Sequence, residues 1–207
     1  MLQRTVFLLL ISTAVTIILS CSDTPQLQPL DKNATILAFG DSLTYGTGTS
    51  RDKAYPAVLE KLIKRKVINA GVPGETSKKG LSRLPGLISQ HQPGLVIICH
   101  GGNDILRKLD LNQTGENIQK MINIARDNNS EVVLIGVPQF GLFLHSAPLY
   151  QDLADKNRTP IATDILPEIL GKLSLKSDHI HPNTKGYQKL AENISLLLKH
   201  AGALPGD

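Results

Sequence analysis

Four short polar motifs stand out in the chain because each combines residue types that could serve one reaction. They are the segments 40–43 (GDSL), 69–77 (NAGVPGETS), 101–104 (GGND) and 178–183 (DHIHPN). A serine hydroxyl becomes a good nucleophile only beside a base, and a histidine can be that base. Asp178 and His181 are three residues apart, so one turn of chain can bring the carboxylate onto the imidazole; a buried aspartate there would fix the tautomer. The pattern predicts nucleophilic catalysis by Ser42.

Each motif taken alone also has an ordinary structural interpretation. Asp-Ser is a common helix-capping pair, and the glycine-containing segments around Gly74 and Asn103 are typical of turns. Asp41 and Asp104 are expected to hold turns rather than to react. His179 and His181 could converge on a metal ion, but no third or fourth ligand follows at a recognisable spacing, so we expect no metal.

The elements that position these motifs follow from the hydrophobic pattern. Short apolar runs predict strands at 35–39, 67–68, 95–99, 132–135 and 160–162, and helical periodicity is found within 53–66, 77–91, 113–129, 147–157 and 183–200. Strands that alternate with helices predict a parallel sheet with right-handed crossovers. Ligands bind such sheets at the carboxyl ends of the strands. The first three motifs each follow a predicted strand, so we expect them to share one cleft.

Composition excludes several classes of protein. The 207 residues are 41% hydrophobic and 19% charged, which is typical of a globular chain and not of a disordered or collagen-like one. The net charge is +4, and its small basic cluster at 61–66 is typical of a helix C-terminus. Without a wider basic stripe, no nucleic-acid partner is expected. Two cysteines are too few for a disulfide framework, and Cys99 lies in an apolar run as a small core residue.

The N-terminus predicts export. Residues 5–20 are uncharged and follow Arg4, as in a signal peptide, and they are short for a membrane span of about 20 residues. Ser20-Cys21 at the end of this stretch resembles the lipobox of bacterial lipoproteins. That resemblance implies cleavage before Cys21, lipidation of Cys21, and an anchor on the periplasmic face of the cell envelope, with Ser22 favouring the outer membrane. A plain secretory signal and an uncleaved anchor stay open.

The domain organisation follows from these segments. We expect a signal peptide over 1–20, a flexible polar tether over 21–33, and a single catalytic domain over 34–203 that acts as a monomer.

The four motifs, in this order, resemble those of the GDSL or SGNH hydrolase superfamily over most of residues 35–198. The stretches NAGVPGETS, GLSRLPGLISQHQP and GGND are similar to the bacterial periplasmic thioesterase, arylesterase and lysophospholipase branch. The resemblance implies an α/β fold: a flavodoxin-like three-layer α/β/α sandwich with a five-stranded parallel sheet of order 2-1-3-4-5. There is no G-x-S-x-G motif of the α/β-hydrolase type.

The same resemblance implies the roles of the site residues. Ser42 is the expected nucleophile, His181 the base and then the acid, and Asp178 the residue that orients His181. The expected oxyanion donors are the Ser42 amide, the Gly74 amide and the Asn103 side chain. No metal or organic cofactor is expected.

Apolar residues after the strands suggest a wall for an acyl chain. The expected members are Ile105, Leu106, Leu109, Phe140, Leu142, Phe143, Leu144, Ile165, Leu166, Ile169 and Leu170. Their ordinary alternative is core packing. We expect esters or thioesters of acyl chains, including lysophospholipids, as substrates. A carbohydrate acetylesterase, an acyltransferase on the same triad and a non-catalytic surface lipoprotein that binds lipid or glycan stay open.

Overall fold

A computed structural model describes residues 25–139 and 144–206 of the protein. The expected signal peptide, Cys21 and the apolar residues Phe140, Leu142 and Phe143 therefore lie outside the described residues. Within the described ranges, no helix is both long and apolar enough to cross a membrane.

A five-stranded parallel sheet forms the centre of the domain. The strands of the described chain are β1 (Ile36–Gly40), β2 (Val67–Gly71), β3 (Leu95–Cys99), β4 (Glu131–Ile135), β5 (Pro138–Gln139), β6 (His145–Ser146) and β7 (Ile161–Ala162). The sheet order is β2-β1-β3-β4-β7, which confirms the expected topology. Its fifth strand is β7 because β5 and β6 pair with each other in a separate antiparallel hairpin that the sequence pattern did not predict.

Helices cover both faces of the sheet. They are α1 (Ser42–Tyr45), α2 (Tyr55–Ile63), α3 (Ser77–His91), α4 (Gly102–Leu106), α5 (Leu111–Asp127), α6 (Pro148–Asn157), α7 (Ile165–Gly171) and α8 (Thr184–His200). Helix α2 packs on α8, and α3 packs on α5; right-handed crossovers place these two pairs on opposite faces. The short helices α1, α4 and α7 were not predicted, because a helix of four to seven residues shows too little periodicity.

Strands β1, β2 and β3 end at the same position along the sheet, next to the first three motifs. All residues of β1 and β3 are buried, as expected for strands covered on both faces. Gly40 pairs with Gly71 on one side and with Cys99 on the other, so β1, β2 and β3 end together. The strand order reverses at β1, and the crevice at such a switch point is the usual ligand site of an open α/β sheet. We call this the catalytic edge.

Helix α8 is tied to the same edge by a buried tyrosine. The Tyr187 hydroxyl donates to the backbone oxygen of Thr47, just after α1, at 2.8 Å. The Asn183 side chain caps α8 by accepting from the Gly186 amide at 3.1 Å. These bonds hold the residues that precede α8 next to the start of α1.

Between Leu27 and Asp31 the chain is docked on the domain, whereas the sequence predicted a flexible tether there. The Leu27 side chain is buried, and the Leu27 and Leu30 amides donate to the oxygens of Ala201 and Ala203, at 2.7 and 2.9 Å. The expectation rested on a polar, proline-containing composition. Burial of one leucine and pairing of two amides are enough to dock this stretch.

Candidate active site

Ser42, His181 and Asp178 form a continuous chain of hydrogen bonds. Ser42 begins α1 directly after β1, and His181 precedes α8. The His181 Nε2 atom is 3.0 Å from the Ser42 Oγ atom, and its Nδ1 atom is 2.8 Å from Asp178 Oδ2. Since a carboxylate only accepts, Nδ1–H donates to Asp178 and Nε2 accepts from the serine hydroxyl. The structure thus brings together the three residues that the sequence motifs singled out.

The loop that carries His181 is folded by Asp178 itself. We call residues 176–183 the histidine loop. Asp178 Oδ1 accepts from the amides of Ile180 and His181, at 2.8 and 2.9 Å, and the Ser177 amide donates to the His181 oxygen at 2.9 Å. A three-residue spacing therefore suffices to place the carboxylate on the imidazole.

Asp178 is not buried, in contrast to the expectation. Half of its side chain is exposed, whereas that of His181 is only 13% exposed. Its three hydrogen bonds, rather than burial, set its orientation. Partial desolvation raises the pKa of Asp178, but the bonds from the Ile180 amide and from His181 outweigh that effect and hold the pKa below its ordinary value.

The expected oxyanion donors lie on the other side of Ser42. The Ser42 amide is in the first turn of α1 and has no intrahelical acceptor, while the next amide, of Leu43, is capped by Asp41 Oδ1 at 3.0 Å. Asn103 Nδ2 donates to Asp41 Oδ2 at 3.2 Å and to the Glu75 oxygen at 3.1 Å. Asn103 thus joins the motif after β1 to the motif after β2.

Gly74 sits in a left-handed turn that only glycine adopts readily, with a φ of +76°. Its carbonyl accepts from the exposed guanidinium of Arg107 at 2.9 Å. Gly74 does not belong to the lining of the cavity beside Ser42, which contains Asn103 and His181. The link from Gly74 to the site in the structure is its neighbour Glu75, whose backbone oxygen accepts from Asn103 Nδ2 at 3.1 Å.

Comparison with known proteins matches residues 38–189 to the model of the GDSL-like Lipase/Acylhydrolase family. That is most of the chain and includes all four motifs. The chain belongs to this family.

Individual relatives agree with this assignment. The thioesterase 1/protease 1/lysophospholipase L1 of Escherichia coli (strain K12) is 33% identical over 166 residues, covering 76% of this chain and 80% of that protein. The esterase TesA of Pseudomonas aeruginosa is 32% identical over 176 residues, covering 80% of this chain and 88% of that protein. The crystal structure of TesA superposes with a TM-score of 0.72 at 29% identity, over 81% of this chain and 99% of that one. The protein is therefore an ester hydrolase.

Behind the expected oxyanion donors lies a buried polar network that the sequence motifs indicated only in part. Asp104 accepts from the Ser77 amide at 2.8 Å and from the Ser77 hydroxyl at 2.7 Å, and Ser77 also accepts from Asn117 at 2.9 Å. Asp41 is likewise buried. Burial raises the pKa of Asp41, opposed by the charges of His100 and His181 and by its hydrogen bonds. Asp41 holds its turn by capping the Leu43 amide, as expected, whereas Asp104 bonds to Ser77 and Thr114 rather than holding the turn of its own motif.

A second part of this network, around Glu75, was missed. The Glu75 carboxylate is paired with Arg83 at 2.6 Å, and Arg83 also donates to the Ala70 oxygen at 3.0 Å and lies over the Phe39 ring. Burial raises the pKa of Glu75, but His100 and Arg83 outweigh it and lower the pKa to about 2. Glu75 and Arg83 are eight residues apart, and no local pattern indicates that they pair.

His100 is the other missed residue. Its side chain is fully buried beside Phe39, and its Nε2 atom is 3.4 Å from Glu75 Oε2, close enough to interact but not aligned for a hydrogen bond. Its backbone oxygen accepts from the Tyr150 hydroxyl at 2.7 Å. His100 therefore places a polarisable ring between the core and the carboxylate of Glu75.

An apolar wall borders the cavity at Ser42 and His181. It consists of Leu43, Leu106, Val137, Pro138, Leu170 and Ile180. Of the residues expected there, Leu106 and Leu170 are present. Ile165, Leu166 and Ile169 are buried in the core instead, and Ile105 packs against the core. Leu109 is exposed, and the half-buried Leu144 does not line the cavity. Leu43, Val137, Pro138 and Ile180 were missed because they lie in irregular or very short elements.

No group of three or more histidine, cysteine, aspartate or glutamate side chains that could hold a metal ion occurs within residues 25–139 and 144–206.

Proposed function

We propose that Ser42 is the nucleophile of this ester hydrolase and that it cleaves acyl esters and thioesters through an acyl-enzyme. The observation that carries the proposal is the unbroken Ser42–His181–Asp178 chain of hydrogen bonds beside an apolar cavity. A serine with its base at 3.0 Å and the base oriented by a carboxylate is the arrangement that activates a hydroxyl.

The first step is attack on the ester carbonyl. His181 Nε2 removes the Ser42 proton as the new Oγ–C bond forms, and the carbonyl π electrons move to its oxygen. The carboxylate of Asp178 stabilises the imidazolium that results. His181 then gives that proton to the leaving oxygen or sulfur as the ester bond breaks. Water, deprotonated by His181, releases the acyl group by the same steps in reverse.

The charge on the tetrahedral oxygen is stabilised by the Ser42 amide, the Gly74 amide and the Asn103 side chain. In the resting site, Asn103 Nδ2 donates to Asp41 and to the Glu75 oxygen at distances above 3 Å. An oxyanion competes well for these hydrogens only once it carries charge. The exchange therefore favours the transition state over bound substrate, and such donors are often the largest single catalytic contribution.

The apolar wall supports an acyl chain as the recognised part of the substrate. Leu106 and Leu170 border Ser42 together with Ile180, so an acyl chain leaving the reacting carbonyl can lie against them. Relatives named as a thioesterase, an esterase and an arylesterase agree with this substrate class. The proposed steps use side chains and backbone amides of this chain together with water, without a cofactor.

A serine-reactive phosphonate tests the nucleophile. We expect one equivalent of label on Ser42, competed by a p-nitrophenyl ester, and no label on Ser42→Ala. Rates across p-nitrophenyl esters of two to sixteen carbons then test the acyl preference. Equal labelling of wild type and Ser42→Ala would overturn the nucleophile, and faster hydrolysis of acetyl than of every longer ester would overturn the acyl-chain preference.

We further propose that the hydrolase is a monomeric lipoprotein of the bacterial envelope, anchored through Cys21 on the periplasmic face of the outer membrane. The sequence support is the uncharged stretch 5–20 followed by Ser20-Cys21. Several acyl chains on one cysteine give a stable anchor. Cys21→Ser is expected to leave the membrane fraction or to stay unprocessed. If the Cys21→Ser chain loses its signal peptide and is still recovered in the membrane fraction, the proposed anchor is overturned.

A further inference from the structure

The docked segment Leu27–Asp31 lies at the edge of the sheet opposite to Ser42. The Gln28 amide donates to Glu131 Oε1, at the start of β4, at 3.2 Å. The Arg65 guanidinium, just ahead of β2, donates to the Leu30 and Asp31 oxygens at 3.3 and 3.2 Å. This segment is therefore held by side chains at the amino ends of β4 and β2, whereas Ser42 follows the carboxyl end of β1.

The docking has partners on two sides, so it defines where the chain leaves the domain. Leu27 and Leu30 bond to the oxygens of Ala201 and Ala203 after α8, and the Leu27 side chain is buried. Any membrane attachment upstream of Leu27 is therefore connected to the domain at this edge, which we call the anchor edge.

The chain between the proposed anchor and the docked segment is short. Five residues separate Cys21 from Leu27, and six steps of fully extended chain reach at most about 20 Å. A domain of this size is about 40 Å across. The chain between Cys21 and Leu27 is thus too short to let the domain turn its catalytic edge to the bilayer that holds Cys21.

The charges at the anchor edge fit a bilayer with anionic headgroups. Lys32, Lys64 and Lys66 are exposed there, next to the docked segment or just ahead of β2. None of the three forms an ion pair with another residue of the described ranges. Asp31 and Glu60 are exposed acids beside them, and the Glu60 carboxylate accepts from the Val67 amide at 2.8 Å. Unpaired lysines near a membrane are attracted by anionic lipids.

We propose that the anchor edge, formed by Leu27–Lys32 with Lys64 and Lys66, faces the bilayer and that the catalytic edge faces away from it. The inference rests on the proposed N-terminal attachment and on the proposed hydrolase function. It deepens that function by defining the substrate class: the enzyme hydrolyses acyl esters that arrive from the aqueous phase, and not lipids of the bilayer that holds it.

Orientation is measured on the full chain, purified from membranes and reconstituted into vesicles of phosphatidylethanolamine and phosphatidylglycerol with a nitroxide-headgroup lipid. Two matched variants, Asn33→Cys at the anchor edge and Asn112→Cys at the catalytic edge, each carry a maleimide fluorophore; both asparagines are exposed and the other described cysteine, Cys99, is buried. We expect several-fold stronger quenching at position 33 than at position 112. Equal quenching, or stronger quenching at 112, overturns the proposal.

A second measurement uses substrate position. A flexible insert of about 20 Gly and Ser residues between Ser22 and Asp23 would extend the reach to more than about 60 Å. We expect the insert to raise hydrolysis of a lysophospholipid in the same bilayer at least tenfold and to leave hydrolysis of soluble p-nitrophenyl acetate unchanged. Equal same-bilayer rates for the two chains overturn the proposal.

The failure of this proposal and of the proposed function are distinguishable in the same samples. Loss of all activity on the soluble ester contradicts the hydrolase function. Mass spectrometry of the N-terminus tests the attachment. A chain that carries no acyl groups and has also lost residues 5–20 has no membrane attachment, which overturns the orientation and leaves the hydrolase function intact.

Discussion

The two sides of the active site are held in different ways. The histidine loop lies at the surface, and the hydrogen bonds of Asp178 stay within the loop, two or three residues along the chain. The other side, which we call the oxyanion scaffold, consists of Asp41, Glu75, Arg83, Asn103 and Asp104. It is largely buried, and the bonds of Asn103 join residues 62 and 28 positions apart. The proposed base is thus placed by local chain geometry, and the proposed oxyanion donor Asn103 by tertiary packing.

This difference predicts which substitutions affect stability. Water can solvate a half-exposed group such as Asp178 when its partner is lost. A buried acceptor such as Asp41 has no such replacement, and leaving it unpaired costs about 1–3 kcal/mol. We therefore expect loss of the Ser42 side chain to affect rate alone and changes in the oxyanion scaffold to affect both rate and stability.

The largest effect is expected for Ser42→Ala. Loss of the nucleophile is expected to lower kcat by about 10⁴- to 10⁶-fold, while Tm stays unchanged because the site is at a helix start at the catalytic edge. Ser82→Ala, at an exposed serine of α3, is the matched control and keeps full activity. A large fall in Tm for Ser42→Ala would contradict the separation of rate from stability on the triad side.

Asn103→Ala is expected to affect rate and stability together. Loss of one oxyanion donor lowers kcat by about 10²- to 10³-fold, with a smaller change in KM. Because its amide also bonds to Asp41 and Glu75, the free energy of unfolding falls by about 1–3 kcal/mol. Active-site titration with calorimetry measures both, and Asn112→Ala is the control. An unchanged Tm would show that the scaffold does not depend on this amide.

Glu75→Gln tests the scaffold without touching a proposed donor. Its pKa of about 2 lies below the ordinary value of 4.5, so the ionised carboxylate stabilises the fold above about pH 4.5. That contribution is lost as the pH falls from 4.5 towards 2. We expect the variant to be about 2 kcal/mol less stable at pH 7, and the difference from wild type to shrink on acidification.

Glu168→Gln is the surface counterpart of that experiment. Glu168 also has a pKa lowered to about 2, by Lys172 and Lys189, but its side chain is 42% exposed. Solvent screening limits such pairs to less than about 1 kcal/mol. Urea unfolding at pH 7 and pH 3 is expected to show a smaller change than for Glu75→Gln, and an equal change would contradict the role of burial.

The smallest effect is expected for His179→Ala. His179 is exposed and lies two residues from His181, so it shares the histidine loop without joining the triad. We expect kcat, KM and Tm within a factor of two, or within error, of wild type. The metal-binding alternative for the two histidines would instead be supported by a different result: a chelator inactivates the wild type, added divalent metal restores it, and His179→Ala is inactive with or without metal.

Much of the fold could be predicted from the sequence because the long elements have strong patterns. Strand β3 and helix α3 have the predicted bounds, and the order of the sheet followed from the resemblance carried by the four motifs. The hairpin of β5 and β6 could not be predicted, since two-residue strands contain no periodicity. The docking of Leu27 was missed because one buried leucine in a polar segment gives no signal.

The sequence by itself determined the residue types of the site and the loop that orients the proposed base, His181. Asp178 reaches His181 through a three-residue spacing, so local geometry is enough. Only the tertiary structure decided that Asn103 lies between Asp41 and the Glu75 oxygen, that Glu75 pairs with Arg83 beneath the site, and that the N-terminal segment leaves from the opposite edge. Those contacts join residues far apart in the chain. They form only when packing of the whole sheet brings the strand ends together, and no local pattern encodes them.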